Sequence, residues 1–537
     1  MIFWQICLIG IITLQNNYVT GSLSDPQSLL NNDINNFHIG KDYVHGSVWP
    51  KPQQESRGEE FYTLSPKDFS FHAVGKKSDI LTDALKRYPP LIFPDKDMKS
   101  AEGYTVLKML TIDVLTDYEP MTLTSDESYA LIITNTDVRL TAVTVFGALR
   151  GLETFSQVVY QNESGAYFVQ QNKILDHPRF HHRGFHIDTS RHYVSVKVIL
   201  QFLDAMSYSK FNVLHWHIVD DDSFPYVSTA FPQLHNKGAR NNKTHIYNPI
   251  DVKNVIEYAR LRGIRVIPEF DTPGHTRSWS GVMNLLTKCY SGSKPNGNLG
   301  PVDPTNDVNY EFFEQFFREV AAAFPDEYIH MGGDEVSFSC WQSNPDIKAW
   351  MKEKGMAGNY SMLEQYYEQK LLDIIKGLKK QYIIWQEVID NKVKVQADTV
   401  VNVWKGGWPN EMAKVTKLGY RAILSSCWYL NYISYGEDWR NYYKCDPENF
   451  NGTPKQKELV MGGTACMWGE MVDGTNLISR TWARGLAVGE RLWSDKSVTD
   501  MGDAYRRIWE HRCRYVRRGL PAENVVASQY CRHEWQN

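Results

Sequence analysis

From about residue 180 the chain alternates short apolar runs with longer amphipathic stretches. The runs fall at 183–188, 213–219, 265–270, 328–334, 382–387, 399–404, 420–425 and 459–468. Between them, 196–210 (VKVILQFLDAMSYSK) and 251–263 (DVKNVIEYARLRG) repeat apolar residues every three or four positions, which sets one helical stripe against a sheet. Gly263 ends the second stretch, as a C-terminal glycine does. Strand and helix in alternation imply a parallel sheet. Eight runs is the number that closes a (β/α)8 TIM barrel, although a doubly wound sheet produces the same alternation. The pattern therefore predicts an α/β barrel over residues 179–537, including a C-terminal helix and tail.

Residues 60–178 have a different rhythm, with mixed strands and one helix at 143–160, and predict a smaller α+β domain before the barrel. Residues 22–59, rich in Asn, Ser, Gln and Pro, read as a loosely ordered leader. Residues 2–14 are apolar apart from Gln5, too short to span a bilayer, and followed by small residues up to Gly21. They read as a signal peptide over 1–21, despite an n-region without Lys or Arg. Sequons at Asn162, Asn242, Asn359 and Asn451 suit a chain made in the secretory pathway, lysosomal or secreted. Of the eight cysteines, Cys7 lies in the signal segment, which leaves an odd number. Six allow fifteen connectivities. Local spacing favours Cys513 with Cys531 and Cys427 with Cys445. Cys466, inside the apolar LVMGGTACMWG, is the natural free thiol, and Cys289 with Cys340 remain.

The 58 basic and 62 acidic residues balance to a net charge of −4, which offers no electrostatic footprint for nucleic acid or a membrane surface. The 16 Trp and 30 Tyr change the picture once they are placed. In a barrel, chemistry sits just beyond the C-terminal ends of the strands. There this chain carries Asp188 to Arg191, Asp220-Asp221-Asp222, Glu269, Asp271 and His275, and Asp334-Glu335. The later strands add Trp385 with Glu387, Trp404, Trp428-Tyr429 with Asn431, and Trp468 with Glu470. Carboxylates for hydroxyl groups and indoles for ring faces outline a pyranose pocket; helix capping is the competing use of any single Asp. Adjacent side chains at a strand end point apart, so Asp334 and Glu335 are suited to two different tasks rather than one shared proton. Glu335 has the reach of an acid for a leaving oxygen.

HMGGDEV, with RGFHIDTSRHY, NVLHWHIVDDDSFP, PEFDTPGHT, WQE and ACMWGE, resembles the family 20 glycoside hydrolases, specifically the animal lysosomal-type β-N-acetylhexosaminidases. The motifs run in order from about Trp49 to about His533. The resemblance implies an exo-acting, retaining hydrolase of terminal β-linked N-acetylglucosamine or N-acetylgalactosamine in which the substrate's own acetamido oxygen is the nucleophile. It implies Glu335 as general acid and then base, and Asp334 as the carboxylate that orients the acetamido group. Arg191 would bind the 3- and 4-hydroxyls and Glu470 the 4-hydroxyl. Trp385, Trp404 and Trp468 would wall the pocket, Tyr429 would donate to the acetamido oxygen, and Asp220 and His275 would support the site. It also implies a homodimer. Where family members that accept 6-sulfated sugars carry an Arg after an Asn, this chain has Asn431-Tyr432, so neutral substrates are expected.

Two other classes of protein share parts of this pattern. His215-x-His217 resembles a metal-binding pair, but the fifth and sixth runs end in Trp-Gln-Glu and Val-Trp-Lys, so no metal or other cofactor is expected. A sugar-binding protein without catalysis would be expected to lose the acid, and both Asp334 and Glu335 are present.

Overall fold

The structure is a computed structural model and describes residues 45–117, 120–432, 434–526 and 529–534. The signal segment and the first part of the leader lie outside the described residues. Eight strands close a parallel barrel in chain order: His182–Asp188, Val213–Val219, Arg265–Phe270, Tyr328–His330, Gln381–Trp385, Val400–Val403, Arg421–Leu424 and Val460–Met467. Each matches one of the runs read from the sequence. The first and second strands are buried at every position, which is why they read as continuous apolar runs rather than alternating ones. The fourth strand stops at His330, not at 334 as the run suggested. Gly332 and Gly333 turn the chain there with φ of 70° and 93°, a region that side chains with a Cβ disfavour.

The α+β domain is an eight-stranded sheet. Its main path runs Ser70–Gly75, Met109–Val114, Val138–Ala142, Tyr129–Ile133, Tyr167–Asp176, Gln54–Leu64, Thr105–Leu107. The leader expected over 22–59 does not extend that far. The strand Gln54–Leu64 pairs antiparallel with Tyr167–Asp176, and before it Trp49 is fully buried, its indole donating to Leu486 O at 3.0 Å. Polarity hid the strand, because most of residues 54–61 face solvent. The helix expected at 143–160 is Val145–Val158, begun by Thr144, whose Oγ1 accepts from Phe146 N and Gly147 N. All its residues are buried, since it lies between the sheet and the barrel.

Arg150 on that helix donates to Gly263 O at 2.7 Å and to Glu127 Oε2 at 2.8 Å. Glu127 also takes Arg183 at the base of the first barrel strand and Asn212 Nδ2 at 3.0 Å. Burial would raise the Glu127 carboxyl, but Arg183 and Arg150 hold it below its ordinary range. Three disulfides join Cys289 to Cys340, Cys427 to Cys445 and Cys513 to Cys531, and Cys466 is a buried free thiol. The first ties a two-stranded ribbon, Leu286–Ser291 with Lys294–Val302, to the helix Ser339–Ser343. No helix among the described residues is long and apolar enough to cross a membrane.

Candidate active site

The strand ends converge on one cavity of about 520 Å³ at the C-terminal mouth of the barrel, whose lining includes Arg191, Asp220, His275, Asp334, Glu335, Trp404, Tyr429, Asn431, Trp468 and Glu470. The first strand delivers Arg191 through Asp188. One Asp188 oxygen accepts from Ser190 N and Arg191 N at 2.9 and 3.2 Å, and the other from Gly469 N at 2.9 Å and Arg191 Nη1 at 3.1 Å. The guanidinium then spans to Asp220 at 2.8 Å and lies 5.1 Å from the Trp468 ring centroid. Flanking carboxylates hold the arginine charged.

Asp220 is the hub of an ionic chain. It takes Arg191 on one side, His217 Nε2 at 3.0 Å beneath, and His275 Nδ1 at 3.1 Å beside the cavity. Burial would raise Asp220, yet His217 and His275 lower it well below the carboxylate range. Despite burial, Glu269 and Asp220 push His217 up to about 10. His275 rises far above the usual imidazole range against burial, through Asp220 and then Glu335. Glu269 stays ionised, burial outweighed by His330, His217 and His215. The His215-x-His217 pair is therefore spent on Glu269, which both rings meet at 2.7 Å.

Asp334 and Glu335 stand in different surroundings. Asp334 is nearly buried, its side chain 10% exposed, and its Oδ1 has no hydrogen-bond partner among the described residues. Glu335 has a side chain 57% exposed and lies 3.6 Å from His275 Nε2. It is held there by a backbone φ of 51°, uncommon for a residue with a Cβ and characteristic of strained functional positions. The His275 imidazole 3.6 Å away lowers Glu335 below its ordinary 4.5, burial opposing it.

Three residues of the site had no catalytic or binding role assigned from the sequence. Asp271 accepts from Gly333 N at 2.8 Å, and a Cβ on Gly332 would come within 1.8 Å of its Oδ1. Gly332 is thus needed for close approach to this carboxyl. Burial, then the charge of Asp334, raises Asp271 well above its usual range, which favours its neutral form beside Asp334. Tyr432 and Met471 complete the rim. Asp271 was visible as a strand-end acid, but nothing in the sequence separates it from a helix cap. Conversely, Trp385 lies beneath the cavity rather than on its surface. It is 1% exposed and its indole donates to Glu269 Oε1 at 2.8 Å. Trp404 is fixed by Glu387 at 2.9 Å and stacks on Tyr429 at 6.2 Å.

A parallel barrel whose mouth gathers an exposed acid, a buried carboxylate and indole walls has the makings of a glycoside hydrolase. Residues 180–496 match the glycosyl hydrolase family 20 catalytic domain, and residues 48–158 match a domain described as beta-acetyl hexosaminidase like. The beta-hexosaminidase subunit beta of Mus musculus is 50% identical over 91% of this chain and 93% of its own length. The alpha subunit of Bos taurus is 48% identical over 91% and 96%. A Flavobacterium johnsoniae chitobiase shares the fold with a TM-score of 0.78, at 27% identity over 88% of this chain and 73% of its own. The chain belongs to glycosyl hydrolase family 20, among the animal lysosomal-type β-N-acetylhexosaminidases, and is a glycoside hydrolase acting on glycans.

Proposed function

We propose that the enzyme removes terminal β-linked N-acetylglucosamine or N-acetylgalactosamine one residue at a time, with retention, using the substrate's acetamido oxygen as nucleophile. The observation that carries this reading is the contrast between the two adjacent carboxyls. Asp334 is nearly buried at the cavity wall beside Asp271, placed to take an acetamido N–H, while Glu335 stands exposed at the mouth within reach of a leaving oxygen. The acetamido oxygen bonds to the anomeric carbon as the glycosidic bond breaks, and the proton of Glu335 goes to the leaving oxygen. Water then attacks the same carbon, gives its proton to Glu335, and the oxazolinium ring opens. Asp334 stabilises the positive charge developed in between. Tyr429 donates to the acetamido oxygen, Trp404 and Trp468 wall the ring, and Arg191 with Glu470 hold its hydroxyls. Trp385 acts from below by fixing Glu269.

In the free site the proton rests on His275 rather than on Glu335. A sugar that excludes water raises a carboxyl's pKa, and His275 Nε2 stands 3.6 Å from Glu335 to supply the proton. Arg191 is the one cation of the lining besides His275 and is engaged by Asp188 and Asp220. With Asn431-Tyr432 at the rim, the pocket suits neutral sugars over 6-sulfated ones. The homodimer is supported by relatives that are named as subunits. Passage through the secretory pathway, to lysosome or exterior, is supported by the exposed sequons at Asn242, Asn359 and Asn451.

The test is release of nitrophenol from the β-N-acetylglucosaminide at about pH 5. Glu335→Gln should abolish it while the variant stays folded; folded, glycosylated wild type without hydrolysis would overturn the reading.

A further inference from the structure

The barrel interior beneath the cavity holds a carboxylate, Glu269, that is not part of the lining. It sits on the third strand and is met from three others. From the second, His215 Nε2 and His217 Nδ1 both reach Oε2 at 2.7 Å. From the fourth and fifth, His330 stands 3.3 Å from Oε1 and the Trp385 indole donates to it. His217 lies between two carboxylates, with Nδ1 on Glu269 and Nε2 on Asp220 Oδ2 at 3.0 Å. A neutral imidazole has one N–H to give. Both bonds stand only when both nitrogens carry hydrogen, so His217 is an imidazolium, fully buried. The neighbouring rings of His215 and His186 are pushed down by burial, His215 to about 4, and carry no charge at neutral pH. On the far side of Asp220, Oδ2 also takes Arg191, while Oδ1 takes His275 Nδ1 at 3.1 Å. An ionised carboxylate accepts and does not donate, so His275 Nδ1 carries a hydrogen. The proton that comes and goes is therefore on Nε2, the nitrogen 3.6 Å from Glu335.

We infer that Glu269 and His217 are positioning residues for the acid step: Glu269 keeps His217 an imidazolium, and His217, acting through Asp220, loosens the His275 proton enough for Glu335 to receive it. The inference rests on the reading of Glu335 as the acid. His275 faces the carboxyls of Asp220, Glu335 and Asp334, the last at 4.0 Å, with Asp271 within 4.8 Å. Unopposed, these would hold the proton too firmly for transfer. The charges of Arg191 and His217 on Asp220 oppose them, and the charge of His217 depends on Glu269, which neutralises it inside the barrel. Without Glu269, burial returns His217 to its neutral form. Asp220 then pulls harder on His275, and the proton stays there to higher pH.

The experiment compares phenyl and 2,4-dinitrophenyl N-acetyl-β-glucosaminides, because dinitrophenolate departs without a proton and phenolate needs one. Glu269→Gln and His217→Gln each remove the imidazolium with little change of shape. In both, kcat/KM for the phenyl substrate should fall about tenfold or more, with the dinitrophenyl value within about twofold of wild type. The alkaline limb of the phenyl profile should move up by about one pH unit, and Glu269→Asp, which keeps the charge, should leave it in place. A limb that stays or moves down in the two Gln variants would overturn the inference, as would an equal loss on both substrates. Neutron diffraction from the wild type at about pH 7 needs no variant: deuterium on both His217 nitrogens is expected, and deuterium on one alone would overturn the inference. Glu335→Gln is the control. An equal loss on the two substrates in that variant would overturn the reading of Glu335 itself, and the inference with it.

Discussion

Among single residues, His275 and Glu335 share the proton on which the acid step depends. His275 stays protonated far above the usual imidazole range, and Glu335 is held below 4.5 by the same contact. A general acid that must begin protonated makes activity fall as pH rises through its pKa. The geometry moves that fall to the point where the His275–Glu335 pair loses its proton, above the ordinary imidazole value of 6.5. In His275→Gln, Glu335 alone carries the proton. The alkaline limb of kcat/KM, which reports the free enzyme, should then move down in pH toward the carboxyl range. A limb that stays in place would show that the two groups do not share the proton. A second expectation concerns the rim. With Asn431 and Tyr432 where a cation would be needed, 6-sulfation of a substrate should lower kcat/KM; equal or faster cleavage of the sulfated sugar would contradict it.

At the scale of elements, two buried carboxyls have opposite effects on stability. Glu127 binds the helix Val145–Val158 to the base of the barrel through Arg150 and Arg183. Glu127→Gln leaves two buried guanidinium groups without their counter-charge and should cost about 3 kcal/mol, seen as a lower urea midpoint. Glu368, on the helix Tyr360–Gly377, has both oxygens buried without a partner among the described residues. Burial, then Glu364, raises it well above 4.5. A carboxyl raised in the folded state keeps its stability contribution below the unfolded value and loses it as pH rises toward the folded one. Glu368→Leu should therefore raise the Tm more at pH 7 than at pH 4. An equal gain at both would place the ordinary unfolded pKa in the fold as well. The disulfide Cys427–Cys445 closes the loop that carries Tyr429, Asn431 and Tyr432, so replacing both cysteines by Ser should raise KM more than it lowers the Tm.

At the scale of the whole molecule, the barrel was legible because its strands are buried on both faces and stand out as apolar runs between amphipathic helices. The mouth was legible because a parallel barrel puts its chemistry at strand ends, and the resemblance then separated Asp334 and Glu335 from ordinary capping residues. What escaped has physical reasons. Gln54–Leu64 hides as a strand because its exposed residues are polar, and the left-handed turn at Gly332 and Gly333 ends the fourth strand earlier than its apolar run implies. Asp271 depends on contacts made across the barrel, which no local pattern encodes. The position of Trp385 likewise depends on Glu269, two strands away.

In the proposed reaction the nucleophile belongs to the substrate. Its most direct test is kcat/KM for a series of aryl β-glucosaminides whose N-acyl group carries none, one, two or three fluorines. Fluorine withdraws electrons from the acyl oxygen, so the account predicts a steep fall along the series while Asp334 and Glu335 are intact. A rate that does not change with fluorination would place the nucleophile on the protein and contradict it.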